Sequence, residues 1–130
     1  IKNAAATDRL TVSDSYATIS AGERLAGYRT VVFADSPVTV AATDRVIRCN
    51  VVGGSIVLHL PAAAASAGML LPVKDTGSCA AGLTITVEGA GAETIDGALN
   101  DVLGGGAGTD YASRTYLCNG TSWDKLASYK

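Results

Sequence analysis

Four acidic residues in the second half of the chain have the side-chain type that hydrolyses glycosidic bonds. A pair of carboxyl groups does this chemistry, one as the acid and the other as the base or nucleophile. Each of these residues lies in or beside a predicted turn, where carboxylates normally face water, so a structural role is favoured over an acid pair. Calcium held by Asp96, Asp101 and loop carbonyls is an alternative, but we expect no bound metal. The four residues are Glu88, Glu93, Asp96 and Asp101.

The single histidine, His59, limits nucleophilic chemistry. A serine hydrolase needs a histidine base oriented by a carboxylate, and no Gly-x-Ser-x-Gly turn surrounds any serine here. Ile56, Leu58 and Leu60 alternate with His59, which places the imidazole on the opposite face of a strand. We therefore predict no catalytic residues and a protein that is not an enzyme.

The cysteines and glycine-rich segments indicate no cofactor. Cys49 and Cys118 lie in strand-like runs and are predicted to be small buried residues, while a Cys79–Cys118 bridge stays open as an alternative. With no Cys-x-x-Cys pair and one histidine, a zinc site is not expected. This pattern is typical of a protein assembled in a reducing cytoplasm. The glycine-rich segments 89–91 and 104–108 lack the Lys-Ser/Thr of a phosphate loop.

Length and charge restrict the class of protein. A chain of 130 residues predicts one domain, and 48% hydrophobic with 17% charged residues excludes a disordered tail. The formal net charge of -2 and the lack of a basic patch argue against a nucleic-acid partner. Residues 60–73 are uncharged but too short, and too interrupted by proline, to insert into a membrane. No secretory signal is recognisable, and a start at Ile1 suggests that the natural product is longer than this sequence.

Small side chains dominate the apolar residues. Alanine and valine are abundant, glycine occurs 15 times, and phenylalanine, tryptophan and methionine occur once each. Such residues suit closely packed strands. A monomer built this way has few large core anchors, so packing against identical copies is expected.

The hydrophobic pattern predicts an all-β fold, an antiparallel β-sandwich or jelly-roll-like domain with at most one or two short helical turns. Short β-branched or alternating runs recur between turn residues. Ser20 and Glu23 have capping-box form for one helical turn through residue 25, and residues 61–68 form either a short helix or a crossover loop. The predicted strands are residues 10–12, 29–34, 38–40, 45–52, 55–60, 69–74, 83–87, 99–102, 113–118 and 121–126.

Alternation within these runs assigns the core faces. Gly53-Gly54 is predicted to be a tight turn, and Asn119-Gly120 a type I′ turn of a closing hairpin. Asp75 and Asp96 precede threonine or glycine at turns, where a carboxylate accepts backbone N–H bonds. The inward residues are Ile47, Cys49, Val51, Ile56, Leu58, Leu60, Leu71 and Val73.

Residues 45–126 carry an ordered set of motifs. The set comprises Val57-Leu58-His59-Leu60-Pro61-Ala62-Ala63, Gly68, Val73-Lys74-Asp75, Leu83-Thr84-Ile85-Thr86-Val87, Glu93-Thr94-Ile95-Asp96-Gly97 and Asn119-Gly120-Thr121-Ser122-Trp123. In order and spacing it resembles the β-rich module of bacteriophage tail fibre, tail spike and virion decoration proteins. The resemblance implies a β-sandwich or jelly-roll-like module, often trimeric, displayed on a virion. It departs from the family at Arg114, where relatives have an aliphatic residue, which leaves the register of that strand open.

The resemblance and the composition together predict a non-enzymatic virion structural protein on the particle surface, assembled in the host cytoplasm. The module spans residues 45–130, and residues 1–44 form N-terminal strands or an attachment arm packed on the same core. Expected partners are two further copies in a homotrimer, other capsid or tail proteins, and a host surface glycan. The role is host attachment in a fibre or spike, or decoration and stabilisation of the capsid. The alternatives are a carbohydrate-binding module and the non-catalytic part of a polysaccharide-degrading tailspike.

Three aromatic residues are the candidate glycan or inter-subunit contacts. Tyr111 follows the glycine-rich loop, Tyr116 lies in the penultimate strand, and Trp123 follows the hairpin turn. Aromatic rings of this kind present an apolar face and a polar tip. For Trp123 the main expectation is structural, because it can cap the end of the sandwich or stack on a neighbouring chain.

Overall fold

The computed structural model describes residues 27–77, 82–106 and 111–129, and these form a β-rich fold. The predicted strand 10–12, the capping segment 20–25 and Cys79 lie outside the described residues. Two 3₁₀ turns, Phe33–Asp35 and Ala63–Ala65, lie wholly within the described part. The nine strands are β1 Arg29–Val32, β2 Val38–Thr39, β3 Ile47–Asn50, β4 Ile56–His59, β5 Leu70–Asp75, β6 Thr84–Glu88, β7 Asn100–Gly104, β8 Ser113–Cys118 and β9 Trp123–Tyr129.

The strands form two mixed sheets, which corrects the antiparallel prediction. The five-stranded sheet has the order β1-β3-β5-β8-β9, and the four-stranded sheet has the order β2-β4-β6-β7. The first six strands alternate between the sheets, so each pairs in parallel with the strand two places along the chain. Antiparallel pairing begins only where β7, β8 and β9 join.

The turn at Gly53-Gly54 carries the chain from one sheet to the other. β3 and β4 lie in different sheets, so this turn does not close a pair of neighbouring strands. Gly53 has φ of 106°, which favours glycine. A Cβ on Gly54 would lie 2.6 Å from Phe33 Cε2, so any side chain at this position would have to displace the ring.

Both sheets contribute to one buried hydrophobic cluster. Buried apolar side chains alternate with half-buried positions along the strands, as in Ile47 and Cys49 of β3 and Ile56 and Leu58 of β4. All eight residues predicted to point inward are buried, which confirms those assignments. Burial of these small and branched side chains removes apolar surface from water and holds the sheets together.

The closing hairpin is confirmed, but its turn differs from the prediction. Cys118 pairs with Trp123, so the loop has four residues, Asn119 to Ser122, and the second strand begins at Trp123. Asn119 Oδ1 accepts hydrogen bonds from the backbone N–H of Thr121 and Ser122 at 3.0 and 2.9 Å. A type I′ turn needs positive φ at two central residues, and in this loop only Gly120 has it, at 97°.

The first described strands belong to the same core as the rest. β1 pairs with β3, β2 pairs with β4, and Val31 and Val38 join the buried cluster. The division of the chain at residue 44 stays a prediction, because the described part begins at residue 27. Within the described residues, no helix is long and apolar enough to cross a membrane.

Candidate functional site

A buried carboxylate connects the two sheets at the edge formed by β7. Asp101 and Leu103 of β7 face inward, as the period of two along a strand requires. Asp101 reaches β8 of the opposite sheet, where both of its oxygens lie 2.9 Å from an Arg114 guanidinium nitrogen. Oδ2 also accepts a 2.9 Å hydrogen bond from the Tyr116 hydroxyl. Charge-assisted hydrogen bonds of this kind fix geometry more firmly than neutral ones.

Tyr116 stays protonated in this environment. Burial raises the pKa of its hydroxyl far above the usual value, and the negative charge and hydrogen bond of Asp101 raise it further. Arg114 acts in the opposite direction but is the weaker influence. Tyr116 is therefore a hydrogen-bond donor to Asp101 and not a base. We name Asp101, Arg114, Tyr116 and Lys125 the inter-sheet cluster.

The ammonium group of Lys125 lies where the calcium alternative would place the metal ion. Its ammonium lies 3.7 Å from Asp96 Oδ2 and 3.6 Å from Asp101 Oδ1, between the two carboxylates. Asp96 Oδ1 also accepts the backbone N–H of Lys125 at 3.1 Å. In the described part of the chain, no group of three or more His, Cys, Asp or Glu residues could hold a metal ion.

The acids and turn residues of the motifs bind backbone. Asp75 accepts the N–H of Gly77 and that of Tyr111, both at 2.9 Å, which ties the end of β5 to the entry of β8. Glu93 accepts the Ala63 N–H with its two oxygens at 2.9 and 3.0 Å, so it anchors the second 3₁₀ turn. The turn-binding role predicted for Asp75 is confirmed, whereas Asp96 accepts its backbone N–H from Lys125 of β9 and not from its own turn.

Arg114 faces inward, in register with Val73 of β5, which resolves the register left open by the sequence. Cys118 is a buried free thiol whose Sγ donates to the Ala63 carbonyl oxygen at 3.3 Å, so the alternative bridge from Cys118 to Cys79 is not made. His59 lies on the outer face of β4, as predicted, with Nδ1 3.3 Å from Glu88 Oε2.

Two of the three aromatic contact candidates are enclosed by the chain itself. Tyr116 and Trp123 are both 0% exposed, so neither ring reaches a glycan or a neighbouring chain. This corrects the contact role predicted for Tyr116, whereas the burial of Trp123 agrees with the structural role that was its main expectation. The hairpin brings Trp123 into the core, where its backbone also pairs with Ile95 and Thr94. Tyr111 is 54% exposed, and its contact role stays a prediction.

Cations and tyrosines lie together on the outer face of the five-stranded sheet. The register aligns Thr30, Arg48, Lys74, Ser113 and Tyr129 in one row across all five strands. The Arg48 guanidinium carbon lies 5.0 Å from the ring centre of Tyr28, and Lys74 Nζ lies 5.8 Å from Tyr111 and 6.0 Å from Tyr129. We name these five side chains, Tyr28, Arg48, Lys74, Tyr111 and Tyr129, the tyrosine–cation face.

No protein-family model and no curated protein matches this chain.

The residues missed by sequence reasoning are Arg48, Lys74, Tyr28 and Tyr129, whose neighbourhood depends on the register of parallel strands. The inter-sheet cluster carried a readable signal. Tyr116 lies two positions before Cys118, which was predicted to be buried, so alternation alone places the tyrosine inside.

Proposed function

We propose that this chain is a non-enzymatic structural module of a bacteriophage virion surface, built to associate with copies of itself as a homotrimer. The observation that carries the proposal is the use of the motif side chains as framework. Asp75, Glu93, Asp96 and Asn119 of the motif set, together with Asp101, each hold a backbone N–H, a turn or an opposing sheet. Because the acidic and amide side chains of the motifs build the scaffold, they support a protein that acts through its shape.

The outer face of the four-stranded sheet is the surface we assign to association. Val57, Thr86 and Val102 align across β4, β6 and β7, and Val102 is exposed. The next row along the strands contains His59 and Glu88, whose side chains contact each other at 3.3 Å. A flat surface of small, uncharged side chains suits close packing against identical copies. The number three rests on the resemblance to phage modules.

Light scattering coupled to size-exclusion chromatography tests association. Three copies of the 13.1 kDa chain give about 39 kDa. Val102→Lys should lower this mass, because it places three cations on the shared surface. Val52→Lys is the matched control, since Val52 is exposed in the turn after β3 and lies on neither sheet face. A wild-type chain that stays monomeric at about 100 µM, far above the Kd of a specific interface, would contradict the proposal.

The virion location is tested on particles. An antibody against the chain should label purified particles of the phage that encodes it, and electron microscopy of the label distinguishes the two roles. Label at the tail tip supports host attachment, and label over the head supports capsid decoration. Absence of the protein from purified particles would show that the virion assignment is wrong.

A further inference from the structure

We propose that the tyrosine–cation face binds an acidic polysaccharide, with Arg48 and Lys74 holding its carboxylate or sulfate groups and the tyrosines stacking on its sugar rings. The proposal deepens the host-attachment role and rests on the proposed function for its biological setting only. Of these residues, Lys74 lies in the motif set and Tyr111 was a candidate contact, and none of them belongs to the inter-sheet cluster.

The face is open and linear. Tyr28, Tyr111 and Tyr129 are 66%, 54% and 68% exposed, although tyrosine rings normally bury much of their surface. The row from β1 to β9 crosses four inter-strand spacings of about 4.8 Å, so it is roughly 19 Å long. A flat row of this length accommodates several sugar rings laid across the strands.

The two cations lack carboxylate partners among the described residues. The ion pairs of the described part involve Arg29, His59, Arg114 and Lys125. Arg48 instead lies over Tyr28, and Lys74 donates one of its three protons to the Tyr111 carbonyl oxygen. Arg48 and Lys74 are opposite each other on neighbouring strands, so their positive charges repel each other. An anionic group between them would relieve that repulsion and gain charge-assisted hydrogen bonds.

An acidic glycan fits this surface better than the two other candidate occupants. A sister copy would have to cover both cations without supplying an identified counter-charge, and burying unpaired charge is strongly unfavourable. A single-stranded nucleic acid also stacks on aromatic rings, but it carries a phosphate at every nucleotide and favours a groove with more cations than two. A sugar acid carries its charges more sparsely and offers apolar ring faces to the tyrosines.

The test is titration calorimetry on the full chain with three probes. These are hyaluronan oligosaccharides, which carry uronic acids, neutral dextran oligosaccharides of the same mean length, and poly(U). Hyaluronan should bind at least about tenfold more tightly than dextran, the ratio expected from one charge-assisted contact. Equal affinity for dextran, tighter binding of poly(U), or no hyaluronan binding at about 1 mM would overturn the inference.

Variants locate the binding to the face. Lys74→Gln and Arg48→Gln should each raise the Kd for hyaluronan about tenfold, and Tyr129→Ala about fivefold, with unchanged far-ultraviolet circular dichroism. Arg45→Gln is the matched control, because Arg45 is a cation in the loop before β3 whose guanidinium bonds only local carbonyl oxygens in the described part. An equal loss from Arg45→Gln would place the binding elsewhere.

The outcome separates this inference from the proposed function. If Lys74→Gln or Arg48→Gln lowers the oligomer mass, the face is an interface between copies and the inference is wrong. If the chain is trimeric and present on particles but does not bind hyaluronan, the proposed function stands and only the inference falls. If a monomeric chain binds hyaluronan through this face, the inference stands and the association proposal falls.

Discussion

Asp101→Asn is the most informative single substitution, because it removes one charge from the inter-sheet cluster without changing the size of the side chain. The carboxylate accepts from Arg114 through both oxygens and from Tyr116 through one. In asparagine an amide NH2 group replaces one of these oxygens, so two hydrogen-bond donors face each other at that position. The guanidinium of Arg114 then lies in a largely enclosed position without its counter-charge.

The expected loss of stability follows from the exposure of the partners. Removing one member of a fully buried ion pair lowers the free energy of unfolding by about 3–5 kcal/mol. The side chains of Arg114 and Lys125 are 22% and 31% exposed, so water screens part of the released charge. We therefore expect a loss at the lower end, about 3 kcal/mol. Arg114→Met should lose about 2 kcal/mol, because Lys125 and Tyr116 still contact Asp101.

A double-mutant cycle isolates the inter-sheet contact. The Asp101→Asn, Arg114→Met double variant should lose about 2 kcal/mol less than the sum of the two single losses. The reason is that the double variant contains neither the carboxylate nor the guanidinium, so neither charge is left without its partner. Arg29→Met is the control. It breaks the exposed Arg29–Asp44 pair, whose atoms are 3.4 Å apart, and should lose under about 1 kcal/mol.

Urea unfolding at one fixed protein concentration measures these losses, since association would otherwise add to the stability. Trp123 is the only tryptophan and is enclosed in the core, so its fluorescence reports the transition. With an m value of about 1.5 kcal/mol/M, a loss of about 3 kcal/mol lowers the midpoint by about 2 M. If the single losses add to within about 0.5 kcal/mol, Asp101 and Arg114 do not stabilise the fold as a pair and the reasoning fails.

Two further substitutions test the same framework. Tyr116 has a raised pKa when folded, so the wild-type free energy of unfolding should fall as the pH rises above about 10, where the unfolded tyrosine ionises. Tyr116→Phe should lose about 1–2 kcal/mol at pH 7 and flatten that alkaline fall, and an unchanged alkaline slope would contradict the pKa argument. Gly89→Ala should lose more than about 2 kcal/mol, because its Cβ would collide with the Glu93 carbonyl oxygen. Gly27→Ala meets nothing within 4 Å and should lose little in the same urea unfolding experiments, so equal losses would show that the collision is relieved.

Strand positions were predictable from the sequence, but strand partners were not. Alternation of Ile47 and Cys49 with polar neighbours marks a half-buried strand and its inward face, and the structure agrees. The same alternation is compatible with parallel and antiparallel neighbours. Gly53-Gly54 therefore reads as a hairpin turn, although here it carries the chain between sheets. The choice between a hairpin turn and a connection between sheets depends on the long-range pairing of β3 with β1 and β5, which no local sequence pattern contains.

The polar sites divide in the same way. Asp75 binds a backbone N–H within its own turn, so turn chemistry predicts its role. The backbone N–H that Asp96 accepts belongs to Lys125, 29 residues away in β9. The partner of Asp101 lies 13 residues away in the other sheet, and Arg114 reads locally as an anomaly in an apolar strand. The structural role expected for Trp123 agrees with its burial, but its position in the core is set by pairing with Ile95, which is distant in the sequence.

The distribution of charge explains why the net charge concealed the tyrosine–cation face. The chain has 12 acidic and 10 basic residues, and the net charge of -2 argued against a nucleic-acid partner. The fold places Asp75 and Asp101 in the interior, where they bind backbone and the inward-facing Arg114, so their charge contributes little to the outer surface. Arg48 and Lys74 remain on the outer face of one sheet, while the outer face of the other pairs His59 with Glu88. A protein acidic overall therefore presents one locally cationic sheet face and one face with a row of small uncharged side chains, and this asymmetry is why we assign anion binding to the first and self-association to the second.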